Sequence, residues 1–498
     1  MARSRRIIST FIAAGLCLPA AFVSAPASHA VSCDPDNAVA GDLNSDGLAD
    51  IVVGVPSHDN DRGAIDILYS DGTRSFLRPA DFGVTSFPGD RFGESVAVGD
   101  VTNDGCADLA IGTPGYASST GRVYLMRGQV NSTLSYLNTF NGSAPHGNFG
   151  AQVLLLTPEK LTASGWVRTG QQLVASAPTA DDGPQWQEAG SVVVLPLTTG
   201  GSLNAPSVTI TQSSPGVPGS SEDGDRFGTA LAGQDHTIVI GTPDEAVGAL
   251  TRAGSVTLLS ATEAAPLAYA GVAVTQNSAG VAGSAESGDE FGAAVAFRDN
   301  HTLIGVPGEN ISSDSNAGSV QLLHFLPAAR TYTALRSVDQ DTSGIPGARE
   351  DNDYFGSAVA LGINTVDQLT AIVGAPGEAI GSASGAGAVT LFRANRSGGA
   401  TATVRQGAGG VPGAPEAGDR FGATVGLVSG DLNDGEAMTD GLVVGAPGED
   451  IGTIHDAGSV TYTRNVSNWF ALVLEDTGAA NIPADTYFGE ALGLVTSA

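Results

Sequence analysis

Three stretches of this chain set oxygen-bearing side chains at a spacing that can wrap a hard cation. The first, Asp42-Leu43-Asn44-Ser45-Asp46-Gly47-Leu48-Ala49-Asp50, reads D-x-N-x-D-G-x-x-D. Oxygens at alternate positions, a glycine that lets the backbone turn sharply and a later carboxylate can enclose such an ion. An EF-hand would need flanking helices and a glutamate at the twelfth position, which here is Val53 in an apolar run. The loop is therefore predicted to be a hairpin version of that motif. Asp100-Val101-Thr102-Asn103-Asp104-Gly105-Cys106-Ala107-Asp108 repeats the frame, and the hydroxyl of Thr102 keeps a lone pair for a metal. Asp431-Leu432-Asn433-Asp434-Gly435, with Asp440 beyond it, has lost one residue before its glycine. The alternative for each is an Asx-rich turn that satisfies its own backbone, and for the third stretch the two readings are evenly matched. The loops around Asp235-His236 and Asn300-His301 are too short to wrap an ion, and residues 364–367 carry too few carboxylates.

Nucleophilic chemistry finds less support. A G-x-S-x-G elbow is absent, and the nearest approach, Gly93-Glu94-Ser95-Val96-Ala97, falls on a strand pattern. His58, His146, His236, His301, His324 and His455 are scattered without transition-metal spacing. Carboxylates recur after Pro-Gly at Glu309, Glu378 and Glu449, and after glycine at Asp225, Asp289 and Asp419. A catalytic residue is usually singular, so these multiplied acids read as loop-forming. A carboxylate pair for hydrolysis or elimination stays open, since its separation is a three-dimensional quantity.

The elements that must position these loops come from repeats. A Phe-Gly step recurs at Phe92, Phe149, Phe227, Phe291, Phe355, Phe421 and Phe488. Between these steps lie apolar runs ending in small-x-Pro, at Gly54, Gly112, Ser176, Gly241, Gly305, Gly374 and Gly445. A third strand opens at Gly63, Gly121, Gly190, Gly254, Gly318, Gly387 and Gly458. A spacer such as Gly216-Val217-Pro218-Gly219 precedes the next Phe-Gly. Each unit of about sixty residues thus reads as four short strands. Such units repeated radially make an all-β propeller. The chain opens with a small-x-Pro strand and ends with an unpaired Phe-Gly strand, so the C-terminal strand is predicted to pair with the N-terminal blade and close the ring.

These signatures resemble the FG-GAP repeats of the seven-bladed propeller at the N-terminus of integrin α chains and of many bacterial secreted proteins. The resemblance implies a seven-bladed β-propeller of four-stranded blades over residues 31–498, with calcium in the Asp-rich loops and the backbone carbonyl of Leu48 among its ligands. Residues 154–173, with Pro158 and Trp166, depart most from the pattern, and Ser176 stands where glycine is usual.

With 22 Lys and Arg against 52 Asp and Glu, the net charge of −30 disfavours a nucleic-acid surface and favours cations as small partners. Arg3, Arg5 and Arg6 before an apolar run, then Ala27-Ser28-His29-Ala30, read as a signal peptide over residues 1–30, by the general or the twin-arginine route. No later run is long enough for a transmembrane anchor, so a secreted, extracellular protein is expected, and a monomer. Export leaves Cys33 and Cys106, an even pair suited to a disulfide. A binding or adhesion module for an extracellular protein or polysaccharide is the preferred function. A secreted hydrolase or lyase, or a purely structural module, are the alternatives.

Overall fold

The computed structural model describes residue 33 and residues 39–157, 159–162, 165–168, 170–262, 268–363, 369–395, 402–429, 440–464, 469–473 and 486–495. The predicted signal peptide lies outside them. Nearly every element is a strand, and no helix among the described residues is long and apolar enough to cross a membrane.

The repeats fold as antiparallel meanders. In one, Ala230–Gln234, Thr237–Thr242, Ser255–Thr262 and Ala268–Val274 pair in chain order. Five separate sheets have four strands each. The departing segment forms a two-stranded hairpin, Glu159–Thr162 with Gly165–Arg168, inserted between Val153–Leu156 and Gln171–Ala177. Seven separate four-stranded blades, the arrangement expected above, do not appear. The remaining strands join in one eight-stranded sheet. There Ala491–Val495 pairs antiparallel with Ile51–Val55 on one side and parallel with Val96–Gly99 on the other. The cause is local: Gly493, Leu494 and Val495 come level with Val96, Ala97 and Val98, so two neighbouring inner strands share hydrogen bonds. The C-terminal strand does pair with the N-terminal meander.

Seven inner strands pack side by side in a closed circuit: Val96–Gly99, Val153–Leu156, Ala230–Gln234, Val295–Arg298, Ala358–Ile363, Thr424–Ser429 and Ala491–Val495. They surround a central cavity of about 220 Å3. Each of seven Phe-Gly steps opens one of these strands and docks on the preceding meander. Phe227, Phe291, Phe355, Phe421 and Phe488 are fully buried, and Phe92 and Phe149 nearly so. Phe-Gly is not sufficient alone: Phe82-Gly83 only ends a 3-10 turn, Pro79–Phe82. The glycine is required by contact. A Cβ on Gly241 would lie 2.1 Å from the carbonyl oxygen of Gly292, and one on Gly254 would lie 2.3 Å from that of Phe291. At Ser176, where glycine is usual, the hydroxyl accepts the N–H of Gln152 at 3.0 Å, and a Cβ on Gly228 would stand 3.0 Å from the Cβ of Ser176.

Side chains between meanders form shared cores. In one, Val256, Leu258 and Val274 meet Phe291, Ile304, Val306 and Leu323 of the next unit. Phe355→Ala is expected to cost about 3–5 kcal/mol in chemical unfolding, the usual price of emptying a buried aromatic site. A loss under about 1 kcal/mol would show that the ring does not wedge the units together.

Candidate functional site

The two described Asp-rich loops lie at the end of the ring where inner strands hand over to second strands. The loop 42–50 leads into Ile51–Val55, while the loop after Val96–Gly99 leads into Asp108–Thr113. They touch, since the N–H of Ala107 donates to the carbonyl of Asp42 at 2.7 Å, and the amide of Asn44 donates to Ser132 Oγ at 3.1 Å in the turn after Arg122–Gln129. The structure joins Cys33 to Cys106 as a disulfide, with Cα atoms 5.2 Å apart, tying the N-terminal arm to the second loop. That bond also occupies both sulfurs of the cluster they form with Asp104.

Each loop curls around its first aspartate. Asp42 accepts the N–H groups of Asn44 and Asp46 on Oδ1 and that of Gly47 on Oδ2 at 2.7 Å. Gly47 has φ +93°, as the sharp turn demands. Asp50 accepts Leu43 N–H at 2.8 Å and Ser70 N–H at 2.9 Å, and Asp46 accepts Leu48 N–H and the Ser70 hydroxyl. The second loop repeats this scheme. Asp100 accepts from Asp104 and Gly105, Asp108 from Thr102 and Gly128, and Asp104 from Cys106.

These bonds do not offset the cost of crowding carboxylates in a buried place. Burial raises the pKa of Asp42 and Asp100, and pushes Asp50 up to about 8 and Asp108 up to about 7, with neighbouring aspartates adding to the rise. Thr102 Oγ1 is buried with no hydrogen-bond partner. A ring of carboxylates that resists ionising, with a spare hydroxyl oxygen, is a donor set that fits a hard cation. Asp42, Asn44, Asp46, Asp50 and the carbonyl of Leu48 could hold one ion, and Asp100, Thr102, Asp104 and Asp108 another. The loops differ at Arg127, whose guanidinium pairs with Asp104 at 2.5 Å and would compete for it. Asp431 and Asn433 lie outside the described residues. Asp440 begins the strand Asp440–Ala446, paired with Ser429.

At the opposite end, the residue before each Phe-Gly is held in the left-handed region: Arg91, Asn148, Arg226, Glu290, Tyr354, Arg420 and Tyr487, with φ between 50° and 58°. The N–H of Tyr354 donates to the carbonyl of Asn316 at 3.0 Å, and that of Arg226 to Glu188 at 3.1 Å, so this backbone ring is fixed by the preceding unit. Three or four residues further on, each of these seven segments reaches the lining of the central cavity. Arg91 pairs with Glu94 at 2.5 Å and lies 3.7 Å from Glu490, and both glutamates line the cavity. Ser95 is buried and donates to the carbonyl of Gly150 at 2.8 Å, a packing role. His301 sits in its hairpin with Nδ1 3.0 Å from the carbonyl oxygen of Asp299.

Glutamines went unnoticed in the repeat pattern. Gln212, Gln276, Gln340 and Gln406 are each almost fully buried and donate to Glu245, Glu309, Glu378 and Glu449 respectively. The available signal was their fixed place four residues before Gly216, Gly280, Gly344 and Gly410.

Two outcomes are expected. Asp50 and Asp108 bind protons more tightly folded than unfolded, so without cations their contribution to stability is fullest below about pH 4 and is lost as pH rises through about 7 to 8. The melting temperature in chelator should therefore fall more steeply from about pH 5 to 8 than in excess calcium. Equal slopes would count against ions in these loops. Arg127→Ala is expected to tighten calcium binding at the second loop several-fold in a calorimetric titration, whereas weaker binding would mean that Arg127 supports the loop.

Known proteins resemble parts of this chain. Integrin alpha-X of Mus musculus is 37% identical over 95 residues, 18% of this chain and 8% of the integrin. Integrin alpha pat-2 of Caenorhabditis elegans is 29% identical over 237 residues, 44% of this chain and 18% of the integrin. The matches thus span less than a fifth of either integrin's length. The periplasmic gluconolactonase of Pseudomonas aeruginosa superposes with a TM-score of 0.40 at 15% identity, covering 85% of this chain and 99% of that one, a likeness too slight to bear on function. The FG-GAP repeat family matches residues 36–68 and 92–126, the segments that contain the two Asp-rich loops and the strands they feed.

Proposed function

We propose that this chain is a secreted, calcium-stabilised, seven-bladed FG-GAP propeller that acts as a monomeric binding module for an extracellular protein or polysaccharide. Seven blades follow if the eight-stranded sheet is divided at its parallel joint, which leaves two four-stranded halves beside the five separate sheets. The closed circuit of seven inner strands supports that division. Calcium belongs in the loops 42–50 and 100–108, where it would neutralise buried carboxylates and hold the strand entries. The disulfide is in keeping with an oxidising compartment, as is the signal-like N-terminus.

One observation carries the binding reading: the rim of residues before Phe-Gly. Their backbone is the same at every unit while their side chains differ, with three arginines, two tyrosines, an asparagine and a glutamate. Tyrosine and arginine are the side chains that most often anchor interfaces. Tyr354 is exposed, and Arg420 lies over the ring of Tyr487 at 5.6 Å. A rigid frame carrying varied contact groups is what recognition needs, whereas catalysis needs a singular reactive constellation.

The test is saturable binding of the purified mature protein to a panel of cell-surface proteins and extracellular polysaccharides, with product release read in the same wells. Binding without products is expected. Tyr354→Ala and Arg420→Ala should weaken it by about tenfold or more, the scale of an interface anchor, without changing the melting temperature. Product release would overturn the reading in favour of a hydrolase or lyase.

A further inference from the structure

The rim end of the ring also holds an acidic pocket, half-buried at its glutamates and buried at its glutamines, that recurs at four junctions between meanders, away from the Asp-rich loops. At one of them, Gln276 follows the outer strand Ala268–Val274, and Glu309 follows the second strand His301–Val306 of the next unit. The Gln276 amide donates to Glu309 Oε2 across the junction. Asp289, fully buried, accepts the N–H of Glu286 on Oδ2 at 2.5 Å. Gly283 floors the pocket, where a Cβ would stand 3.0 Å from Gln276 Nε2 and 3.6 Å from Glu309 Oε1.

Two further observations point to a ligand. Gln276 is 2% exposed and its Oε1 has no hydrogen-bond partner, although the amide it belongs to is in contact with Glu309. Asp289 Oδ1, on a residue 0% exposed, has none either. The orphaned glutamine oxygen repeats at Gln212, Gln340 and Gln406. Leaving one buried acceptor unsatisfied costs about 1–3 kcal/mol, so the same omission four times over calls for a partner. The partner must also suit carboxylates. Burial pushes Glu309 up to about 7 against the hydrogen bond from Gln276, and Asp289 and Glu286 add to the rise.

We propose that this pocket and its three counterparts each bind one divalent cation of the calcium class, with Glu309, Gln276 Oε1 and Asp289 Oδ1 as protein ligands at the first. Hard cations take carboxylate and amide oxygens together and complete their shell with water. An ion here joins two successive units, since Gln276 comes from one and Glu309 from the next. These sites are independent of the Asp-rich loops.

The experiment is calcium stoichiometry of the whole secreted protein by calorimetry and equilibrium dialysis at neutral pH. Glu309→Gln is isosteric and should remove one bound calcium. The variant carrying Glu245→Gln, Glu309→Gln, Glu378→Gln and Glu449→Gln should lose four. Asp46→Ala with Asp104→Ala should lose only the ions of the Asp-rich loops, so failure at one end of the ring is read separately from failure at the other. Near-UV circular dichroism reports whether the fourfold variant is folded; if it is not, the single variant decides. Unchanged stoichiometry in folded Glu309→Gln overturns the proposal and leaves protons as what neutralises the pocket.

Discussion

Everything in this ring depends on how closely two backbones can approach at each junction. The glycine of a small-x-Pro strand lies against the carbonyl of the Phe-Gly glycine in the next unit, and any side chain there would overlap it by more than an ångström at Gly54, Gly112, Gly241, Gly305, Gly374 and Gly445. A second glycine, opening the third strand, meets the phenylalanine in the same way, and most of these pairs register as parallel bridges. With the backbones this near, the phenylalanine ring is driven into the core between sheets. The junction therefore sets the distance from unit to unit, the width of the cavity and the position of every loop at both ends.

Much of this was legible because each feature occurs several times. Phe291 and Gly292 alone could belong to any strand; in seven spaced copies they declare a repeat, and the absence of a first Phe-Gly strand foretells closure by the last. The two Asp-rich loops were legible for a different reason, since oxygen at alternate positions around Gly47 and Gly105 has few uses besides wrapping a cation or its own amides. What escaped depends on side chains meeting across units. Gln276 carries no charge and resembles any polar residue of a turn, and only its burial against Glu309 gives it meaning. Arg127 sits two strands from Asp104 in the chain direction, so its pairing could not be counted off. The eight-stranded sheet escaped because shared hydrogen bonds between neighbouring inner strands follow from their height in the ring, not from any residue type.

The strong acidity acquires a structure of its own in this light. Exposed carboxylates need only water, but Asp50, Asp108 and Asp289 are buried, and Glu309 half-buried, close to the ends of strands where the chain must turn. Each accepts hydrogen bonds that organise a loop, and each resists ionisation because it is buried. The fold thus stores most of its charge strain at its two faces and keeps the walls between sheets mostly apolar, the buried Asp66–Arg74 pair against Phe488 being an exception.

The joint that closes the ring pairs residues more than four hundred positions apart, Val53 with Leu492 and Gly54 with Ala491. Contacts of that sequence separation are slow to form, because the intervening chain must be ordered first. Until Ala491–Val495 arrives, the edges of Ile51–Val55 and Val96–Gly99 stand open, and open edges recruit other strands. The ring consequently has a vulnerable interval during its synthesis. Its last strand acts on both sides at once, ending that interval by covering two edges in a single step.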